Sequence, residues 1–296
     1  MSDPHHQTHL KAIRIMLQAA VSFSFMAICV KWVSQSLPSL EVVFFRSLIG
    51  MFIILGIITV KRVPLFGKET GLMIMRGVSG FCALALHFYT IAKLPLGTAV
   101  LLNYTSPIFS VILAVFFLKE RPSLMLVVMI LVSFSGIFLI GDTSFTGWNL
   151  EIFLGLLSAV FTAVAFISIR ALKHKESPYT VIFYFTAISS LCAGCFMPFI
   201  GFRWPDAHEW LLLIGIGIGT FYGQLWMTIS LSMAPTALVS PFIYLTPLLS
   251  YIYGLIFFGD KLTAMSFVGA FLIILGGSLI SYFEAKANRP AISDKR

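Results

Sequence analysis

The chain has 296 residues, is 58% hydrophobic and 11% charged, and has a mean hydropathy of +0.96. Soluble domains carry roughly 25% charged residues, so this composition excludes an ordinary soluble protein. The net charge of +8 is confined to short segments between apolar runs, which argues against a nucleic-acid-binding surface. Recurring apolar runs of about 20 residues indicate an all-α integral membrane protein.

Ten transmembrane helices are predicted in chain order. They cover residues 13–34, 40–60, 71–92, 96–118, 123–141, 148–171, 179–200, 209–231, 236–258 and 263–283. The loops between them are only a few residues long, which leaves no room for a soluble catalytic domain. No signal peptide is expected, because the first apolar run is too long and no cleavage site follows it.

Two stretches of the chain resemble each other at a fixed offset of 140 residues. LPLGTAVLLNYTSPIFSVILAVFFLKER, at 94–121, aligns with APTALVSPFIYLTPLLSYIYGLIFFGDK, at 234–261. The identical pairs on this offset include Pro95/Pro235, Tyr104/Tyr244, Pro107/Pro247, Ser110/Ser250, Phe117/Phe257 and Gly136/Gly276. We therefore predict two duplicated halves, 13–141 and 148–283, of five helices each.

The distribution of lysine and arginine predicts that both tails, 1–12 and 284–296, are cytoplasmic. With this orientation fourteen of the 20 basic residues are on the cytoplasmic side and four are outside, while Arg46 and Arg76 are within spans. Five helices per half is an odd number, so the second half must be inverted relative to the first. Inverted repeats are typical of secondary transporters, whose binding site lies near the midplane between the halves.

Short motifs mark the ends of several predicted helices. They are Phe44-Phe45-Arg46, Arg76-Gly77 in the third span, LPLGTA before the fourth span and FFLKE at its end. Together with the repeat, they resemble the EamA family of the drug/metabolite transporter superfamily, over about 13–283. The second half departs from the family pattern at Gly259-Asp260-Lys261, where many members have a glutamate.

The resemblance implies ten helices around a central cavity, lined mainly by the first, third, fourth, sixth, eighth and ninth spans. It also implies transport, because members of the family carry amino acids, nucleotide-related metabolites, vitamins and drugs. The family is too varied in its substrates for the resemblance to name one.

Pro107 and Pro247 are predicted to kink the fourth and ninth spans and to act as hinges. Proline has no N–H, so the carbonyls of Asn103 and Ile243, four residues earlier, lose their helical partners. In hydrocarbon an unpaired carbonyl is costly, so these groups are expected to face protein, water or substrate. The alternative is a packing kink whose free carbonyl is satisfied by a neighbouring helix.

Polar and aromatic residues near these kinks and on the third and eighth spans are the predicted substrate-binding groups: Asn103, Tyr104, His87, Tyr222, Trp226, Ser240 and Tyr244. Small and polar stripes can instead mean close helix packing, and the aromatic residues can instead face lipid. His87 shares one face of the third span with Arg76, and its alternative role is that of a satisfied buried imidazole.

Four charged residues are predicted to be structural or gating groups: Arg46, Glu41, Arg76 and Glu151. We expect Arg46 to bond to helix ends or to Glu151, and we expect Arg76 to snorkel to the cytoplasmic side; the alternative is contact with substrate for Arg46 and an inward-facing guanidinium for Arg76. No acidic residue is predicted near the midplane. Coupling would therefore use His87, or the protein would be a facilitator or exchanger.

No cofactor and no metal site is expected. Cys192 and Cys195 form a C-x-x-C pattern, but inside an apolar span cysteine behaves as a small hydrophobe. Gly215, Gly219 and Gly223 of the eighth span have the spacing of close helix packing and lack the Gly-Lys-Ser/Thr of a phosphate loop. The histidines of the N-terminal tail are expected to be solvated.

We predict a secondary transporter that moves a small polar or zwitterionic metabolite, amino-acid-like or nucleotide-related, by alternating access as an exporter, facilitator or exchanger. An enzyme is not expected, because no catalytic cluster is visible at one depth. A channel or a non-transporting membrane partner protein is the alternative. The expected partners are the substrate and the lipid bilayer but not nucleic acid, and the protein is expected to be a monomer or homodimer of the bacterial inner membrane.

Overall fold

The computed structural model describes residues 4–118, 124–143, 149–172, 175–234, 236–261 and 263–287, and these residues contain no β-strand. The α-helices in chain order are α1 (Pro4–Val33), α2 (Ser39–Lys61), α3 (Thr70–Lys93), α4 (Leu96–Asn103), α5 (Ser106–Leu118), α6 (Leu124–Thr143), α7 (Leu150–Leu172), α8 (Pro178–Ile200), α9 (Ala207–Met233), α10 (Thr236–Val239), α11 (Leu245–Phe257) and α12 (Ala264–Ala287). A 3₁₀ segment, Ser240–Tyr244, joins α10 to α11.

These helices form the ten predicted spans. The fourth span consists of α4 and α5, and the ninth consists of α10, the 3₁₀ segment and α11. Within the described residues, seven helical segments are long and apolar enough to cross a membrane, and three shorter apolar helices, Val127–Leu139, Pro241–Phe257 and Ala264–Ile280, fall in the remaining spans. The predicted all-α fold with ten transmembrane helices is therefore confirmed. The first helix begins at Pro4, so it extends into the predicted tail.

The two halves pack through helix pairs that exchange under a two-fold rotation. The first span packs on the eighth through α1 and α9, and the third packs on the sixth through α3 and α7. The second span packs on the seventh, the fourth on the ninth and the fifth on the tenth. When the two repeats are exchanged, the first two of these pairings exchange with each other and the other three map onto themselves. This is the arrangement of inverted five-helix repeats.

The fifth and tenth spans approach closely at two glycines related by the repeat. A Cβ atom on Gly136 would lie 2.6 Å from the carbonyl oxygen of Gly269, and one on Gly276 would lie 2.9 Å from the carbonyl oxygen of Met129. Residues 129 and 269 are separated by the same 140-residue offset, so the two contacts are equivalent. Small residues let helix backbones approach each other in a membrane, where packing drives association.

The first and eighth spans also approach through glycine. A Cβ atom on Gly223 would lie 2.7 Å from the ring of Phe23, and one on Gly219 would lie 3.2 Å from the carbonyl oxygen of Ser22. The Ser22 hydroxyl donates to the carbonyl of Gly219 at 3.0 Å. The predicted role of the α9 glycines in helix packing is confirmed.

A cluster of charged residues ties helix ends together at the predicted cytoplasmic face. The carboxylate of Glu176 accepts hydrogen bonds from the backbone N–H groups of Lys68 and Glu69, the latter at 2.7 Å. Lys175 pairs with Glu69 at 3.0 Å. The segment before α8 is therefore held to the start of α3.

A second cluster does the same at the predicted outer face. Arg203 pairs with Glu209, and its backbone N–H donates to Glu41 at 3.2 Å. Glu209 also forms a capping box with Asp206 at the start of α9, with both hydrogen bonds at 2.8 Å. Glu69 and Glu209 are separated by the repeat offset of 140, so equivalent clusters hold opposite ends of the two halves.

The glycine contact between α6 and α12 predicts an effect on stability. Gly276→Ala should lower the free energy of unfolding by about 1–3 kcal/mol, because its methyl group meets backbone of α6 that cannot move aside cheaply. Gly56→Ala is the matched control, since Gly56 lies in α2 with nothing within 4 Å of its Cβ position. That substitution should be neutral or slightly stabilising. Thermal unfolding of the purified protein in detergent measures both, and equal midpoints for the two variants would contradict the packing argument.

Candidate functional site

The fourth and ninth spans are broken near their middles. In the fourth span α4 ends at Asn103, a turn follows at Tyr104 and Thr105, and α5 begins at Ser106. The sequence predicted kinks at Pro107 and Pro247. The structure instead shows interrupted helices, with Pro107 in the first turn of α5 and Pro247 in the first turn of α11. The reason is that a proline in the first helical turn needs no N–H donor, so the chain begins a new helix there.

The two breaks meet where the halves cross. The rings of Tyr104 and Tyr244 are in edge contact, with centroids 5.9 Å apart. The hydroxyl of Tyr244 donates to the carbonyl oxygen of Tyr104 at 3.3 Å. Gly277 makes room for this hydroxyl, because a Cβ atom there would overlap it. A backbone carbonyl freed in one half is thus satisfied by a side chain of the other half.

Asn103 ties the break in the fourth span to the sixth span. Its side-chain amide donates to the hydroxyls of Ser158, at 3.1 Å, and Thr162, at 3.0 Å, both on α7. Each hydroxyl in turn donates to a backbone carbonyl of α7. The amide nitrogen is therefore fully used within the protein, while Asn103 itself is only partly buried.

The start of the fourth span is held by residues from two other spans. The Asp260 carboxylate accepts from the N–H of Leu96 at 2.7 Å, and the Lys31 ammonium donates to the carbonyl of Leu94 at 2.6 Å. No side chain at the N-cap position of α4 supplies such a bond. Gly259, with a φ of +63°, makes the turn after α11 that brings Asp260 back to α4. The departure from the family pattern at Asp260 thus marks a contact between the halves.

The predicted aromatic wall lies on α9. The rings of Tyr222 and Trp226 are 5.1 Å apart. Tyr222 is 43% exposed and shares a stripe with the exposed apolar residues Leu211, Ile214 and Ile218, whereas Trp226 packs against the apolar cluster between α1 and the ninth span. The side chain of Ser240 lies outside the described residues.

His87 is buried on the face of α3 that also contains Gly80 and Ala83. Its Nδ1 atom has no hydrogen-bond partner among the described residues. Whether His87 is a substrate-binding group or a buried imidazole therefore stays a prediction.

Arg46 and Arg76 both lie close to one aromatic ring. The guanidinium carbon of Arg76 is 4.2 Å from the ring centroid of Phe185, and that of Arg46 is 5.4 Å from it. Arg46 Nε also donates to the hydroxyl of Thr220 at 3.4 Å. Sequence reasoning did not single out Phe185 or Thr220, since nothing in the local pattern distinguishes them from other residues of α8 and α9.

The expected positions of the charged residues need two corrections. Arg46 contacts Thr220 and Phe185 rather than Glu151, which lies in the first turn of α7. The guanidinium of Arg76 does not snorkel toward the start of α3, because it lies against Gly80, one turn further into the span. Glu41 is fully buried and bonds to the backbone of residue 203.

A groove of about 420 Å³ lies between α2 and α8, and it is not a good candidate for a binding site. Its lining is mostly apolar, and it includes Leu191, which is 69% exposed, and the exposed Cys195. Neither broken span contributes to it. In the described part of the chain no group of three or more His, Cys, Asp or Glu residues has metal-binding geometry.

Comparison with known proteins settles the family. The model of the EamA-like transporter family matches residues 10–141 and 149–282. The chain belongs to the EamA-like transporter family. Both matches fall on the two five-helix halves, so the EamA unit occurs twice. The protein is accordingly a secondary transporter of the drug/metabolite transporter superfamily, built from inverted repeats that work by alternating access.

Similar EamA proteins have varied cargo. The chain is 31% identical over 270 residues to a pseudopaline exporter of Pseudomonas aeruginosa, covering 89% of this chain and 93% of the exporter. It is 30% identical over 285 residues to an uncharacterized transporter of Helicobacter pylori, covering 93% and 95%. It is 27% identical over 289 residues to an S-adenosylmethionine uptake transporter of Rickettsia conorii, covering 95% and 96%.

A solved structure has the same fold. One crystal structure superposes with a TM-score of 0.65 at 20% sequence identity, covering 95% of this chain and 99% of the other. The likeness at this identity concerns the fold alone.

The hydrogen bonds of Asn103 predict a graded loss of function. Asn103→Leu should reduce both transport and thermal stability, because two hydrogen bonds of about 0.5–1.5 kcal/mol each are lost. Thr162→Val should give a smaller loss of both, since one of the two bonds remains. Thr228→Val, which removes an exposed hydroxyl of α9, is the control. Normal transport by the Asn103→Leu variant would show that transport does not depend on the hydrogen bonds between Asn103 and α7.

Proposed function

We propose that this EamA transporter moves a small zwitterionic, amino-acid-like metabolite across the bacterial inner membrane, binding it where the two broken spans meet. The observation that supports this proposal is the contact of Tyr104 with Tyr244 at breaks in repeat-related helices. Interrupted helices place free backbone groups near the midplane, where transporters of this type bind their substrates.

The named cargo of the relatives favours this class of substrate. S-adenosylmethionine, the substrate in the name of the Rickettsia relative, joins an amino acid to a nucleoside. The predicted class, amino-acid-like or nucleotide-related, includes such a molecule. The relatives comprise both an exporter and an uptake transporter, so the direction of transport is part of what the test below measures.

The proposed site combines polar groups with aromatic walls, as small-molecule pockets do. Asn103, whose amide nitrogen is used by α7, offers its carbonyl oxygen, and the free Nδ1 atom of His87 offers a second polar group. Tyr104, Tyr244 and Ser240 come from the breaks themselves. Tyr222 and Trp226 are the proposed aromatic side of the site.

Alternating access would rock the two halves about the breaks, with Pro107 and Pro247 marking the hinges. The bond from Leu96 N–H to Asp260 closes the predicted outer end of the fourth span against the ninth. Glu120, which is related to Asp260 by the repeat, lies outside the described residues.

Transport of a defined probe tests the proposal. Purified protein in proteoliposomes should take up labelled S-adenosylmethionine with saturation, and preloading the vesicles with unlabelled S-adenosylmethionine should accelerate uptake. Counterflow of this kind requires a carrier that reorients with bound substrate, and a channel would not show it. Empty liposomes are the control. A panel of neutral sugars that is transported equally well would contradict the zwitterionic class.

We also propose that both termini are cytoplasmic. The basis is the distribution of basic residues, fourteen on one side against four on the other. A tag placed after Arg296 should resist labelling in intact cells and become accessible after the inner membrane is permeabilised. Labelling of the tag from outside in intact spheroplasts would show that the C-terminus is outside, which would contradict the proposed orientation.

A further inference from the structure

Two buried arginines of the first half have no acidic partner within the part of the chain that the structure describes. Arg46 on α2 is 5% exposed and Arg76 on α3 is 9% exposed. Their guanidinium groups both lie near the ring of Phe185 on α8, and like charges that are close together repel each other. Three helices therefore bring two like charges together inside the membrane.

Hydrogen bonds within the protein satisfy these groups only in part. Nη1 of Arg46 and Nε of Arg76 have no partner among the described residues. No carboxylate in the described ranges pairs with either arginine, whereas Arg203 at the membrane face pairs with Glu209. Each charge at the centre of a span costs about 2.5–3.5 kcal/mol on insertion scales.

The surroundings of the pair favour an inward-pointing guanidinium. A Cβ atom on Gly80 would overlap the Arg76 guanidinium and lie 2.7 Å from the Phe185 ring. Glycine at this position thus leaves space for Arg76 to turn into the span. The Phe185 ring covers a face of the guanidinium group, which leaves N–H groups at its edge for an acceptor.

Packing alone does not account for this arrangement. A cation–π contact contributes about 0.5–2 kcal/mol, which does not offset two unpaired charges that also repel. If the two positions had only a structural role, apolar side chains would give a more stable protein than buried arginines. The missing acceptor is therefore expected to be supplied from outside the chain.

We propose that Arg46 and Arg76 form a subsite that binds the carboxylate of the transported substrate, with Phe185 and Thr220 orienting the two guanidinium groups. The planar guanidinium fork matches a planar carboxylate through paired N–H···O bonds. This assignment rests on the proposed function and adds to it the substrate group that is recognised. Substrate binding would neutralise charge inside the span, so the loaded transporter would be more stable than the empty one.

The first test is the stability of the protein without ligand. Arg46→Gln and Arg76→Gln should each raise the thermal midpoint by roughly 2–4 °C in detergent, because an unpaired buried charge is removed. Arg203→Gln is the matched control and should lower the midpoint, since it leaves the buried carboxylate of Glu209 without its partner. If both Arg46→Gln and Arg76→Gln are less stable than the parent, the arginines are structural and the proposal is overturned, whatever the parent binds.

The second test uses two probes that differ in one carboxylate. S-adenosylmethionine should stabilise the parent protein, and its decarboxylated derivative should bind about 10- to 100-fold more weakly. In Arg76→Gln the affinity for S-adenosylmethionine should fall by a similar factor, while the affinity for the decarboxylated derivative should change little. Equal losses for the two probes, or no loss for either, would overturn the carboxylate assignment.

A third test distinguishes a carboxylate site from a phosphate site. It also distinguishes failure of the proposed subsite from failure of the proposed function. Inorganic phosphate at matched ionic strength should not stabilise the parent. Stabilisation by phosphate that disappears in Arg76→Gln would identify a phosphate site and overturn the assignment. If the parent protein transports no zwitterionic probe, the proposed function is contradicted. The thermal stability of the arginine variants without ligand would still show whether the two arginines form an anion-binding site.

Discussion

Every backbone polar group inside a bilayer must find its partner within the protein, and this constraint organises the structure around its two broken spans. The break in the fourth span exposes the carbonyl of Tyr104, and Tyr244 of the other half donates to it. The free N–H of Leu96 at the start of α4 is likewise capped by Asp260. Each of these contacts is a single hydrogen bond worth about 0.5–1.5 kcal/mol, so the halves are held in register yet can separate locally during transport.

The helix packing is nearly symmetric between the two halves, but the positions of the buried arginine side chains are not. Gly136 and Gly276 make equivalent contacts across the two-fold axis, and the clusters around Glu69 and Glu209 hold equivalent helix ends. The buried charges Arg46 and Arg76 both come from the first half. A symmetric frame gives inward-facing and outward-facing states of similar free energy, as an alternating carrier needs.

Basic side chains near the membrane faces have different partners from those inside the spans. Lys175 and Arg203, near the membrane faces, have carboxylate partners that tie helix ends together. Among the described residues, Arg46 and Arg76 inside the spans contact an aromatic ring and pair with no carboxylate. Unpaired cations in a span lower the stability of the protein without ligand, as expected for the carboxylate subsite proposed above.

The sequence alone determined the features that depend on local pattern. Apolar run length predicted ten spans, the 140-residue offset predicted the repeat, and Pro107 and Pro247 located the interruptions, although as kinks rather than as breaks. Tertiary structure decided which side chains meet across the fold. The amide of Asn103 bonds to hydroxyls 55 and 59 residues away, and Arg46 bonds to a hydroxyl 174 residues away rather than to Glu151. Such partners depend on the rotation and depth of each helix against its neighbours. In a membrane those are set by packing between whole helices, and a hydrophobic pattern that is nearly uniform around each helix does not encode them.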